Sequence, residues 1–340
     1  MKRALLLVVV VVVLALGLAG LIIWKSRRPS GGPAGPVAVS VRFPIPIVES
    51  GQNPFYAAQD LGYYAREGLQ VSFQMGSREL NPVKTVATDQ DTFGVLGGPD
   101  TLLVARSAGQ PLKAIAILHR NSNFSCLLTL KSSGLTRLEQ LQGKKIGFYY
   151  GHISTDVLHN LLHKQKIQYT EVDVGFDYNQ FIAKRVDAQW AFTVTAGLDL
   201  PAKGIDVNII SPASYGIVTH GYTIFDTDAT IQQKPDVVTR FLRATLDGVR
   251  YCLKEPEAAN RMLVKRSPGL DEALNLRRLL AYNAVTSNSD EYPAGYLDRE
   301  MLQSTYDRLA EEKVIPKPFD VREAYTADFL SKIYHRAFAN

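Results

Sequence analysis

Cysteine is nearly absent: Cys126 and Cys252 are the only two in 340 residues. Neither belongs to a metal or redox spacing, and their separation along the chain says nothing about proximity, so the expectation is two unpaired structural thiols. Acidic side chains are missing from the whole stretch before Arg42, where the only charges are Lys2, Arg3, Lys25, Arg27 and Arg28. Those five cations equal the net charge of +5, which leaves the chain from Pro29 onward neutral. A neutral body has no electrostatic footprint for nucleic acid, and no such partner is expected. Histidine is sparse and scattered, apart from His159 and His163 at i, i+4. That spacing can ligate a metal, but no Glu or Cys partner accompanies it in the motif, so a polar helix face is the reading. No metal, cofactor or catalytic residue is expected.

The chain has ample apolar content, with 46% hydrophobic residues over a length that suits a large core in two lobes. Ala4 to Ile23 is an unbroken apolar run, long enough to span a bilayer as a helix. It also has the form of a secretory signal. Leu and Ile crowd its end, where a cleavage site needs small residues, and Leu21 stands where a lipidated Cys would follow Leu18-Ala19-Gly20. An uncleaved signal anchor is the expectation, with cleavage as the alternative. Basic residues flank both ends, so charge alone does not orient it. Pro29 to Pro36 reads as a flexible tether.

From Val37 the hydrophobic pattern alternates between period two and period 3.6. Strands are expected at Val37–Phe43, Leu69–Gln74, Thr92–Leu96 and Leu112–Leu118, with helices at Asn53–Glu67, Asn81–Thr88 and Thr101–Ala108. This is an α/β unit with a largely parallel sheet. A second set follows, with strands at Ser125–Lys131, Lys144–Tyr150, Glu171–Val174, Ala188–Phe192 and Val207–Ile210. Its centre is Gly143-Lys-Lys-Ile-Gly-Phe-Tyr-Tyr-Gly-His-Ile-Ser-Thr-Asp156, a strand–loop–helix unit. Ser154 or Thr155 would cap a helix burying Val157, Leu158, Leu161 and Leu162. Such a loop aims backbone N–H groups and a helix dipole at its occupant. Tyr222 to Phe225 reads as a crossing back to the first lobe, and helices follow at Asp236–Leu253, Pro256–Val264, Leu270–Tyr282, Gly295–Glu312 and Val321–Tyr334. The fold class is α/β, bilobal, of the periplasmic binding protein type, preceded by one transmembrane helix. Residues 1–36 form the anchor and linker, 37–124 with 222–340 lobe one, and 125–221 lobe two.

Several segments carry a resemblance. Phe55 to Val71, Phe93 to Gly109, Leu138 to Gly147, Arg185-Val-Asp-Ala-Gln-Trp190 and Pro235 to Ala244 with Glu255-Pro-Glu-Ala258 are similar to binding proteins serving ABC importers for thiamine pyrimidine precursors, sulfonates, taurine and nitrate. Gln189-Trp190 and Ala213 to Ile217 look most like the pyrimidine-precursor branch. Arg185 replaces a usual Gly, Arg42-Phe43-Pro44 replaces a Trp-Phe-Pro-like start, and the loop Ile45 to Gln52 is longer and carries Glu49. The related pyrimidine synthases share the fold with a cysteine-rich cluster that this chain lacks. The resemblance implies a non-enzymatic solute-binding protein on the periplasmic side of the bacterial inner membrane, with an ABC permease as partner and hinge closure as mechanism.

A substituted pyrimidine needs flat apolar faces and a few edge hydrogen bonds. The expected faces are Phe43, Tyr150, Trp190 and Tyr215, and the expected edges are Asn53, Asp100, Ser154, Thr155 and Gln189. Phe55 and His152 are further candidates. The anionic alternative, a sulfonate, taurine or nitrate, would need a clamp such as Arg42 or Arg120 with the Ser154–Thr155 helix start.

Overall fold

A computed structural model describes residues 35–77, 79–149 and 156–338. The expected membrane segment lies outside the described residues, among which no helix is long and apolar enough to cross a membrane. The chain opens with β1 (Val37–Arg42), α1 (Asn53–Asp60), α2 (Tyr63–Arg66), β2 (Leu69–Gln74), α3 (Pro82–Ala87), β3 (Phe93–Leu96), α4 (Pro99–Ser107) and β4 (Leu112–Ile117). The period-3.6 pattern over 53–67 predicts one helix, but Gly62 sits at φ +72° and breaks it into α1 and α2.

The second set is β5 (Ser125–Leu130), β6 (Lys145–Phe148), α5 (Asp156–Lys164), β7 (Thr170–Asp173), α6 (Asn179–Ile182), β8 (Ala188–Phe192), α7 (Ala196–Ala202) and β9 (Val207–Ile210). The chain then returns through β10 (Thr223–Thr227) and α8 (Asp228–Gln233) to a helical tail. That tail comprises α9 (Pro235–Lys254), α10 (Pro256–Arg266), α11 (Glu272–Ala284), α12 (Arg299–Glu311) and α13 (Asp328–Tyr334). Asp271 and Asp298 cap α11 and α12 by accepting from backbone N–H groups three residues on. Residues 321–334 do not form one helix, because Tyr325 is extended and bridges to Ala114.

Two five-stranded sheets result, ordered β2-β1-β3-β10-β4 and β7-β6-β8-β5-β9. Both are mixed, which corrects the expected largely parallel sheet. The returning strand β10 inserts between β3 and β4 and runs antiparallel to both, with Ile224 opposite Val95 and Ala116. In the second sheet β5 is antiparallel to β8 and β9. The bilobal α/β periplasmic-binding-protein architecture follows, one lobe built on each sheet. Phe93 stacks on Phe241 of α9 and Phe241 on Tyr64 in the core of the first. In the second, Val157, Leu158, Leu161 and Leu162 are buried along one face of α5, as their spacing predicts.

The two crossings between lobes run side by side. The Leu118 amide donates to the Tyr222 carbonyl at 2.8 Å, Gly221 to His119 at 2.9 Å and Asn123 to Thr219 at 3.3 Å. The end of α11 closes on this pair, where the Arg120 amide donates to the Val285 carbonyl.

Candidate functional site

A cavity of about 220 Å³ opens where the lobes face each other beside these crossings. The β1–α1 loop contributes Pro44, Ile45, Ile47 and Glu49, and the second lobe contributes Phe176, Tyr178, Phe192 and Asp199. Phe124 and Tyr222 come from the crossings, Arg278 and Tyr282 from α11. These positions cluster at loops and strand ends, where α/β sheets place their ligands. The lining is mainly apolar and aromatic, suited to the faces of a planar ring.

Glu49 is fully buried at the floor and caps the short turn Ser50–Gln52. Its Oε2 accepts from the Gly51 amide at 2.9 Å, and its Oε1 accepts from the Tyr222 hydroxyl at 2.5 Å. Burial raises its pKa above the ordinary carboxylate value, and hydrogen bonds from Gly51, Tyr222 and Tyr282, with Arg278 nearby, pull the other way. The next residue anchors the loop from outside. The Ser50 hydroxyl donates to Asn275 Oδ1 at 2.7 Å, and Asn275 in turn donates to Asn260 at 2.7 Å.

Arg278 makes a two-pronged ion pair with Asp199. Its Nε lies 2.9 Å from Oδ1 and a second guanidinium nitrogen meets Oδ2. The pair joins α11 to α7, and therefore the tail to the second lobe. Behind the crossings the His119 ring packs among Phe124, Tyr222 and Tyr282, and burial lowers its pKa to about 3, so it is neutral. A smaller space of about 30 Å³, the volume of one water, adjoins and shares Gly97, Phe124 and Phe192. Asp100 and His220 line it. Asp100 is paired with Arg308, and burial lowers the His220 pKa to about 4.

The residues proposed from sequence are dispersed. Phe43 is fully buried against Phe55 and Phe73 in the first core, and the cavity takes the next two residues, Pro44 and Ile45, instead. Asn53 is buried at the start of α1, where its Nδ2 donates to the Ser50 carbonyl. Asp100 reaches only the smaller space. Gln189 donates to the Asp177 carbonyl at 2.7 Å, and Trp190 donates to Ser125 Oγ at 3.1 Å from inside the second core. Tyr215 faces a separate groove with Arg120 and Lys164, its hydroxyl accepting from the Leu138 amide. Tyr150, Ser154, Thr155 and His152 lie outside the described residues. Arg42 is engaged by Asp91, and Arg120 by Asp298. His159 packs on Phe148 and lies 3.1 Å from Glu171, which gives it a partner on the helix face. Sequence reasoning missed Tyr222, Tyr282, Phe124, Phe192, Arg278 and Asp199. The available signal was position: Phe192 ends a strand, and Phe124 and Tyr222 flank the two crossings.

Residues 50–259, more than half of the chain, match the family model described as NMT1/THI5 like. The riboflavin-binding protein RibY of Chloroflexus aurantiacus is 25% identical over 82% of this chain and 82% of its own. The 4-amino-5-hydroxymethyl-2-methylpyrimidine phosphate synthase of Legionella pneumophila is 25% identical over 82% of this chain and 88% of its own. A formylaminopyrimidine-binding protein of Halalkalibacterium halodurans is 24% identical over 62% of this chain and 64% of its own. Among solved structures, the alkanesulfonate-binding protein SsuA of Xanthomonas axonopodis pv. citri, bound to MOPS, superposes with a TM-score of 0.67. It is 16% identical, and the match covers 86% of this chain and 99% of that one.

Proposed function

The chain belongs to the NMT1/THI5-like family, and from that premise we propose that it is an extracytoplasmic solute-binding protein that captures a small planar heterocycle for an ABC permease. A thiamine pyrimidine precursor is the solute class. One observation carries this reading: the cavity between the lobes is walled by aromatic rings, and its single guanidinium among the described residues is already neutralised by Asp199. Among the described residues a sulfonate or nitrate would find no unpaired cation there, because Arg42 and Arg120 are engaged elsewhere as well. The cavity of about 220 Å³ has room for a substituted ring.

The proposed lobes are 37–124 with 222–340, and 125–221, a division that the two crossings support. Closure about those crossings would bring Phe192 and Phe176 onto a ring resting against Tyr222 and Ile45. The solute favours closure to the extent that it binds the closed state better. The Ala4–Ile23 run supports an anchor that holds the body outside the membrane, as a retained signal anchor or before cleavage. Binding without chemistry is proposed over a pyrimidine synthase. Both thiols are buried away from the cavity wall, and burial pushes that of Cys252 up to about 12.

The test is native mass spectrometry of the full-length protein as purified, followed by calorimetric titration with 4-amino-5-hydroxymethyl-2-methylpyrimidine, formylaminopyrimidine, riboflavin and taurine. Binding of a pyrimidine with release unchanged in mass is the expected outcome. Exclusive binding of taurine, or conversion of the pyrimidine, would overturn the reading.

A further inference from the structure

Arg278 is an unusual wall for an apolar cavity, and its engagement has a definite geometry. Both Asp199 carboxylate oxygens face guanidinium nitrogens, the fork-on-fork arrangement that a bound sulfonate or carboxylate would also adopt. The two side chains are only 13% and 22% exposed, so water screens their attraction weakly. They line the cavity together but come from α7 and α11, on opposite sides of the cleft.

We propose that Asp199 is a specificity-determining residue that acts as a built-in surrogate anion: by occupying the Arg278 guanidinium it denies anionic solutes a subsite that the cavity otherwise contains. The inference rests on the cavity being the solute site. An external anion must displace a carboxylate held on the same molecule, which competes at high effective concentration. It must also enter beside the buried Glu49 carboxyl, which lines the same cavity. Removing Asp199 leaves a partly buried guanidinium without its counter-charge. That state is unfavourable until an anion enters.

The experiment is calorimetric titration of the full-length protein with propanesulfonate, with thermal melts to establish folding. The wild type should bind propanesulfonate weakly, and Asp199→Asn should bind it about tenfold tighter or more, the scale of a charge-assisted hydrogen bond. Asp199→Ser, whose side chain is too short to span to Arg278, should show the same gain or a larger one. The double variant Asp199→Asn/Arg278→Gln should lose it. No gain in either single variant that melts as a folded protein overturns the proposal. So does a gain that survives Arg278→Gln, which would place the anion elsewhere. Failure of the solute reading is distinguishable, because it appears as absent pyrimidine binding by the wild type, whatever sulfonate does in the variants.

Discussion

Asp226 in β10 has one carboxylate oxygen accepting from the Thr227 amide at 2.6 Å, while the other is buried without a partner among the described residues. Burial is the main cause that raises its pKa from 3.8 to about 8. The folded state therefore keeps a proton that the unfolded chain has already released. Stability falls as pH rises from about 4 to about 8, and the penalty is complete above that window. Asp226→Asn should leave stability nearly unchanged near the bottom of the window and raise it by several kcal/mol at the top, as linkage requires at about 1.4 kcal/mol for each pH unit of the window. Urea unfolding of both proteins at each end is the check, and an equal difference at both ends would remove Asp226 as the origin. Asp226 also marks what a sequence conceals at this scale. Its burial, like that of Glu49, depends on partners far along the chain. Phe43 and Trp190 were legible as aromatics beside and within strands, but period two does not say whether a ring meets the core or the cleft, and both meet the core.

At the scale of elements, α9 crosses α1 at Gly248. A β-carbon there would stand 2.0 Å from the Pro54 carbonyl oxygen and 3.0 Å from Ala58 Cβ, and backbone cannot yield as a flexible side chain does. Gly248→Ala should lower stability by about 1–3 kcal/mol or more, read from the denaturant midpoint, despite alanine's better helix propensity. A gain in stability would show that the helices separate freely. Helix and strand placement was largely readable, because both periodicities are strong from Val37 onward. What escaped was orientation within the sheets. Tyr222 to Phe225 could be recognised as a return to the first lobe, yet nothing local to it specifies insertion between β3 and β4 or an antiparallel course. The break at Gly62 was similarly hidden, since apolar positions keep helical spacing across it.

For the whole molecule, two polar contacts among the described residues join the lobes away from the crossings: Asp199 with Arg278, and Asn160 with Glu312 at 2.9 Å. They hold α7 to α11 and α5 to α12. A solute bound only by the folded, closed form should raise stability by about 2.7 kcal/mol at a hundredfold excess over its Kd. Thermal melts at increasing pyrimidine concentration check this, and an unchanged melting temperature despite measured binding would mean that the unfolded chain binds as well. The bilobal plan was legible because two βα sets, two crossings and a helical tail follow in order. The cavity was not, because its walls are assembled from residues as distant as Ile45 and Tyr282.

The insertion of β10 also sets a timetable. The second sheet is made entirely from residues between Ser125 and Ile210, so every strand it needs emerges from the ribosome in one continuous stretch. The first sheet cannot be finished in that way. Among its strands, β4 pairs with β10 alone, and β3 keeps an open edge until Thr223–Thr227 has been made. The half of the protein that is synthesised first must therefore wait, with an unpaired strand exposed, for the half synthesised second to be completed behind it.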